Sequence, residues 1–573
     1  MGQVTTAPDV VRVAPVPAIR PQVSRDEWIM RGAMIAVGLG LVVTLALPLG
    51  IMLAKSFQDA RGEMVGLANY VRYFATPALA RSIGNSFFVS ILSTLITVPL
   101  AFVYAYALTR SCAPGRALFK TIALIPILVP SLLPGIALVY LFGNQGMIKG
   151  LLLGYSIYGP IGIVMAEVFF TFPHALLILI TALSLADARL YEAAVALRAS
   201  TPRIFLTVTL PGVRYGLISA VFVVFTMVIT DFGAPKVIGG QYNVLATDIY
   251  KQVIGQQNFQ MGAVVSVLLL IPAGLAFMVD RLVQRRQVAL LSARAVAYVP
   301  KPARRFDLFM LAYCTAVAVC LVGMMATSQF AALVKFYPYN LSLTLAHYNF
   351  DLRDGGGWAA YGNSIRLGAY TALIGTGVVF VGAYLVEKGR GFVVGRAVFQ
   401  FLAMLPMAVP GLVLGLAYIF FFNDPANPLN GLYRTMAILV INTIIHFYTV
   451  AHLTAVTALK QMDPEFETVS ASLKQPFYRT FARVTVPVCL PAILDSSIYL
   501  FVNAMTTVSG VVFLWGPATE LASVAVLNMD DAGQIASAAA MAMMIFYTNV
   551  AARGFHAVVT RGLSRRTQAW RAR

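Results

Sequence analysis

Long apolar stretches separated by short polar ones set the pattern of this chain. Apolar runs lie at about 32–53, 86–109, 121–143, 156–182, 214–232 and 261–280. Six more follow, at about 308–330, 364–385, 397–422, 435–458, 488–512 and 534–552. Each approaches the roughly twenty residues that an α-helix needs to cross a bilayer. Backbone groups find no water partner in lipid, so these runs are predicted to be helices. The short alternating segments of a β-barrel do not appear. The expected fold class is all-α and polytopic, with about 12 transmembrane helices.

The polar positions carry a second pattern. LSLADARLYEAAVALRASTPRIFLTVTLPGV, from Leu183, and ALKQMDPEFETVSASLKQPFYRTFARVTVPV, from Ala458, have the same order of parts. Each has an acidic residue, a short turn rich in Ala, Ser or Leu, a break, and a basic-aromatic segment ending in V-T-[LV]-P. The apolar runs repeat as well. GNSFFVSILSTLITVPLAFVYAYAL from Gly84 matches GNSIRLGAYTALIGTGVVFVGAYLV from Gly362. Pro126/Pro406, Pro130/Pro410 and Gly135/Gly415 fall in register in the third and ninth runs. Six spans per repeat is an even number, so the repeats share one orientation and are expected to meet about an axis normal to the membrane.

These landmarks predict a cytoplasmic tail over 1–28 and a first half over 29–280, with its polar loop at 184–213. A basic cytoplasmic linker is expected over 281–307, a second half over 308–552 with its loop at 459–487, and a second tail over 553–573. The first apolar run starts late and runs long for a cleavable signal, so it is read as a retained span.

Composition agrees and removes alternatives. The 573 residues are 59% hydrophobic and 11% charged, against about a quarter charged in soluble domains. The net charge of +19 does not indicate nucleic acid. Most Lys and Arg fall in alternate loops and both tails, which orients helices by the positive-inside rule. The four cysteines show no C-x-x-C spacing, so neither a disulfide framework nor a metal site is expected. The chain has no Gly-Lys dipeptide and so no nucleotide-binding P-loop. No cofactor is expected, and any ATP must be bound elsewhere.

In the first polar loop, a helix beginning near Leu190 carries Glu192, Ala193, Ala194 and Leu197. Its small residues permit close approach of a partner, and Glu192 near its start suits the helix dipole. Ionisable residues within spans are costly and are taken as functional candidates. Glu167 and Asp231, with the repeated Pro130 and Pro410, are assigned to a translocation path. His174 and His446 are read as core residues. The repeated prolines predict paired kinks.

The two polar loops resemble the E-A-A motif of binding-protein-dependent ABC importer permeases. The resemblance covers both six-span halves and implies the type I importer transmembrane fold. It further implies coupling loops seated on two ABC ATPase subunits, a periplasmic binding protein as a further partner, and residence in a bacterial inner membrane. The coupling residues it implies are Glu192, Ala193, Ala194, Leu197 and Arg198 in the first loop. In the second they are Glu467, Thr468, Leu473 and Lys474. Two departures stand out. Arg198 and Lys474 occupy the family's usual glycine position, where a left-handed stop is strained, so a differently shaped break is expected. Glu467 lies six rather than five residues before its Leu. The fused halves resemble 2-aminoethylphosphonate and ferric-iron permeases, and TDFGAPKVIGGQYNVLATDIYKQV points to the former as the expected solute. An ion-coupled carrier is the rival from another class.

Overall fold

The computed structural model describes residues 24–289, 296, 298–389, 391–463 and 465–567. The expected tails at 1–23 and 568–573, and the centre of the linker, lie outside the described residues. Eight helices are long and apolar enough to cross a membrane singly: Arg25–Lys55, Pro77–Arg110, Pro160–Ser184, Thr201–Thr230, Phe259–Gln284, Arg304–Leu333, Gly357–Lys388 and Ile535–Gly562. They are spans 1, 2, 4, 5, 6, 7, 8 and 12. Four bent pairs supply spans 3, 9, 10 and 11 and bring the count to 12. They are Arg116–Leu128 with Leu132–Phe142, Val393–Ala408 with Gly411–Phe422, Met436–His446 with Tyr448–Lys460, and Phe477–Val488 with Leu490–Thr506. The only β-ladder among the described residues is a hairpin, Val334–Phe336 with Asn340–Leu343.

The helices outrun several expected boundaries. Span 1 begins at Arg25, capped by Ser24, which accepts from Glu27 N. The first tail therefore ends before residue 28. Span 12 is continuous with a helix that runs to Thr567, so most of the expected second tail is helical. Span 2 begins at Pro77, absorbing part of the outer loop.

The repeated prolines produce breaks rather than kinks. Spans 3 and 9 turn through 103° and 113°. Pro126 and Pro406 open matched 3-10 turns, Ile125–Leu128 and Leu405–Ala408. Val129 and Val409 are extended just before Pro130 and Pro410, as the residue before a proline prefers.

The first helix of each half does not stay with its own half. Span 1 packs on spans 8, 9 and 10 as well as on span 6, and span 7 packs on spans 2 and 3 as well as on span 12. Tyr313 Oη of span 7 donates to Leu100 O of span 2 at 2.8 Å.

On the outer side, each G-N-S repeat ties its span to the segment between the last two spans of its half. Asn85 Nδ2 donates to Asn243 O, and Leu245 N donates to Ser86 Oγ, both at 2.8 Å. Asn363 Nδ2 donates to Ala518 O and Glu520 O at 3.1 Å, and Ala522 N to Ser364 Oγ at 2.8 Å. The motif thus satisfies buried backbone groups where the chain is not regular helix.

Candidate functional site

Both polar loops fold alike. The first has a helix Ala188–Ala196, a short helix Thr201–Ile204 and a π-turn Phe205–Thr209 running into span 5. The second has Glu465–Ser472, Phe477–Thr480 and a π-turn Phe481–Thr485. Asp187 accepts from Arg189 N at 3.1 Å, and Asp463 from Glu465 N at 2.9 Å, so each helix starts on an aspartate. A hydrogen bond from the Arg189 guanidinium also holds the Asp187 carboxyl down at about 2.

The stops are alike too, against expectation. Arg198 and Lys474 adopt the left-handed conformation, with φ of +54° and +51°. Arg198 N donates to Val195 O at 2.9 Å and Ala199 N to Ala194 O at 3.0 Å; Lys474 N donates to Ala471 O and Gln475 N to Ser470 O, both at 3.0 Å. This is the Schellman pattern that normally selects glycine. The hydrogen bonds impose the shape, and the side chain bears the strain.

Glu192, Ala193, Leu197 and Arg198 are exposed and Ala194 is half-buried; Thr468, Leu473 and Lys474 are exposed. Leu197 is 83% exposed and Leu473 65%.

Glu467 behaves differently. Its Oε1 lies 2.6 Å from Lys388 Nζ at the end of span 8. The extra residue before Leu473 puts Glu467 level with Tyr191 rather than with Glu192, whose matched residue is Thr468. The spacing departure seen in the sequence has its structural counterpart here: Glu192 is on an open face, and Glu467 ties its loop to its own bundle. In the first half Arg110 takes the place of Lys388 and faces the Tyr191 ring at 5.3 Å.

Both loops lie at one end of the molecule. Asp26, at the start of span 1, accepts from Phe477 N at 2.9 Å, and Val296 O of the linker accepts from Ala188 N at 2.9 Å. That end carries the basic linker, which places it in the cytoplasm.

Between the halves is a cavity of about 700 Å³, lined by spans 3, 4, 5 and 6 and by spans 9 to 12. Asp231 and Pro410 line it. Glu167 does not; it is fully buried beside Asp231. Pro130 also stays out, although its neighbours Val129 and Ser131 reach the wall. The histidines are corrected in the other direction, since His174 and His446 line the cavity rather than sit in a core.

Two matched polar sets lie near the cavity's inner end; the sequence marks Asp495 as an ionisable residue early in span 11, but sequence reasoning missed Asp280, His556 and the matching of the sets. Ser219 Oγ donates to Asp280 Oδ1 at 2.6 Å, and Gln284 Nε2 to Asp280 Oδ2 at 2.7 Å. At the equivalent places of the second half, Asp495 meets His556 at 3.2 Å, and His556 meets Thr560 at 3.2 Å. Asp280, Asp495 and His556 all line the cavity. Extending the repeat through spans 6 and 12 would have aligned them, but the residue types differ at every matched position.

Ser131 and Gly233 meet at the wall in the first half, and Gly411 and Ser509 in the second. A Cβ on either glycine would collide with the opposing serine Oγ. The roles are exchanged between matched positions, so each half keeps one hydroxyl and one close approach.

On the outer side the halves touch one another. Lys236 Nζ lies 2.8 Å from Asp531 Oδ1, and the Tyr250 and Phe513 rings stack at 6.3 Å. Residues of both repeats thus meet one another on the outer side of the seam.

Comparison with known proteins agrees with this geometry. The family model described as "Binding-protein-dependent transport system inner membrane component" matches residues 97–288 and again 379–565. The chain is 27% identical to a ferric transport system permease protein FbpB of Actinobacillus pleuropneumoniae, over 92% of this chain and 77% of that one. It is 26% identical to a putative ferric transport system permease protein FbpB 1 of Haemophilus influenzae, over 85% and 78%. A probable sulfate transport system permease protein cysT of Nephroselmis olivacea is 24% identical over 40% of this chain and 81% of its own. Each family segment holds one polar loop with the spans around it, so the chain belongs to the binding-protein-dependent transport system inner membrane components, as a multi-pass, fused type I ABC importer permease of the bacterial inner membrane.

Proposed function

We propose that this chain is the membrane subunit of an ATP-driven importer that moves ferric iron from periplasm to cytoplasm. Two separate ABC ATPase subunits bind and hydrolyse the ATP, and a periplasmic binding protein delivers the solute. The observation that carries the reading is a cavity at the seam of two matched repeats, with two matched exposed helices at its cytoplasmic end. ATP-driven closure of the ATPases draws the helices at Ala188–Ala196 and Glu465–Ser472 together. The repeats then rock about their shared axis, parting Lys236 from Asp531 and opening the cavity to the binding protein. Hydrolysis returns the inward-open form.

The solute is assigned from the lining and the relatives together. Asp231, Asp280 and Asp495 line the cavity with one guanidinium, Arg553, and three histidines, His174, His446 and His556, the last of which meets Asp495. Such a field favours a cation and opposes a free dianion such as sulfate. Two relatives are named as ferric transport permeases. The organophosphonate expected from sequence is anionic at its phosphonate, and neither the lining nor these relatives support it; ferric iron replaces it here. The acids Asp231 and Glu167 are not repeated at their matching positions, Thr507 and Thr443, which weighs against an ion-gradient carrier built on repeated midplane sites.

Vesicles containing the chain, its ATPase and its binding protein provide the test. Radioactive iron is expected to accumulate only with ATP, without competition from sulfate or 2-aminoethylphosphonate. Phosphonate uptake with no iron uptake overturns the solute. Uptake on an ion gradient without ATP overturns the class. Glu192→Lys and Ala194→Trp are expected to leave insertion intact and abolish uptake; normal uptake in both removes the coupling role.

A further inference from the structure

The first loop is held to its bundle by a cation between two aromatic rings, one of which belongs to the linker joining the halves. Arg110, at the end of span 2, is 7% exposed. Its guanidinium lies 4.4 Å from the centre of the Tyr298 ring and 5.3 Å from that of Tyr191. The two rings are themselves 4.7 Å apart. Arg110 Nη2 donates to Leu183 O, at the end of span 4, at 2.7 Å. No carboxylate pairs with Arg110 among the described residues. Ring faces and two backbone carbonyls, Leu183 O and the more distant Thr109 O at 3.5 Å, therefore meet a nearly buried charge, a favourable arrangement where water is largely excluded.

The linker's backbone is fixed at the same place. Ala188 N donates to Val296 O at 2.9 Å, and Cys112 Sγ to Pro300 O at 3.4 Å. Asp307, in the first turn of span 7, accepts from Ala303 N at 2.9 Å and from Cys112 N at 2.8 Å. One cluster thus gathers the ends of spans 2 and 4, the start of span 7, and the first coupling helix through Tyr191. Tyr191 is 8% exposed and donates from Oη to Thr209 Oγ1 at 3.0 Å.

We propose that Tyr298 and Arg110 are positioning residues for energy coupling, clasping the first coupling helix so that its displacement moves spans 2, 4 and 7 as one body. In the second half the same place holds the Lys388–Glu467 ion pair, so the two loops are fastened by different chemistry. The linker is then a strap within one moving body. Span 7 already packs on spans 2 and 3, so the described stretch 298–307 stays with the first-half spans when the repeats rock. The inference rests on the coupling role proposed above.

The test uses the whole complex in vesicles, with Tyr298→Ala, Tyr298→Phe and Arg110→Gln. Tyr298→Ala and Arg110→Gln are expected to raise the ATP consumed per solute imported by about tenfold, with the ATPase still co-purifying. Tyr298→Phe keeps the ring face and is expected to restore the wild-type ratio, which a merely space-filling defect in folding does not predict. In parallel, amide exchange over 188–197 is expected to quicken about tenfold in Tyr298→Ala and stay normal in Tyr298→Phe. Unchanged exchange in Tyr298→Ala overturns the clasp whatever the transport result, as does a wild-type ATP ratio in both disruptive variants. Wild-type vesicles that show no ATP-driven import at all fail the coupling reading instead, and the exchange measurement still decides the clasp.

Discussion

The two helix stops offer the sharpest check on the loop geometry. Arg198 and Lys474 sit at φ of +54° and +51° inside Schellman hydrogen bonds. A left-handed conformation costs an L-residue about 1–2 kcal/mol. Glycine removes that strain but loses about 0.5–1 kcal/mol through its greater freedom when unfolded. Arg198→Gly and Lys474→Gly are therefore each expected to stabilise the local stop by about 0.5–1 kcal/mol. Alanine is the control. It removes the same charge from the helix end, a loss of about 0.3–1 kcal/mol, but keeps the Cβ that makes the conformation costly. Comparing glycine with alanine cancels the charge and isolates the backbone. The readout is amide exchange over 188–200 and 465–476 in the purified complex. About 1 kcal/mol corresponds to roughly fivefold slower exchange through local opening in the glycine variant than in the alanine variant. Equal exchange in the two, or faster exchange with glycine, refutes the left-handed stop and returns the break to the different shape anticipated from sequence.

Other expectations follow from single contacts. The Lys388–Glu467 pair is half-shielded, with side chains 11% and 28% exposed; a double-mutant cycle with alanine should give a coupling of about 1–2 kcal/mol, between an exposed pair and a buried charged hydrogen bond. The swap Lys388→Glu with Glu467→Lys should recover part of the stability lost in either single change, and no recovery argues against a direct pair. Ser86→Ala and Ser364→Ala each strand a buried backbone N–H, Leu245 and Ala522, at a cost of about 1–3 kcal/mol; unaltered melting in both variants contradicts the outer ties. Outside the spans, burial and the neighbouring Asp531 push the Asp530 carboxyl up to about 7, with Lys236 opposing. The folded protein then holds that proton more tightly than the unfolded chain, whose Asp titrates near ~3.9, so this group's stabilisation is full at low pH and lost as pH rises toward 7. Asp530→Asn should flatten that part of the melting-temperature profile between about pH 4 and 7, and an unchanged slope removes the effect from Asp530.

The chain's apolar runs, its doubling and its two polar loops were legible in sequence, because each is a local property. About twenty apolar residues must be helical in lipid whatever surrounds them, and the loops announce themselves by charge against that background. The absence of a nucleotide cradle was equally plain, since a P-loop is a contiguous motif. What sequence could not assign was which helix lies against which. Lipid tails are as apolar as leucine, so hydropathy marks a surface as buried without naming its neighbour. Tertiary structure alone therefore placed span 1 on spans 8 and 9 and span 7 on spans 2 and 3, turned the proline kinks of spans 3 and 9 into breaks beyond 100°, and carried His174 and His446 from an expected core to the cavity wall. It also separated two acids that look alike in the chain. One residue of register on a helix is about a hundred degrees of rotation, enough to leave Glu192 on the open face and turn Glu467 inward to Lys388.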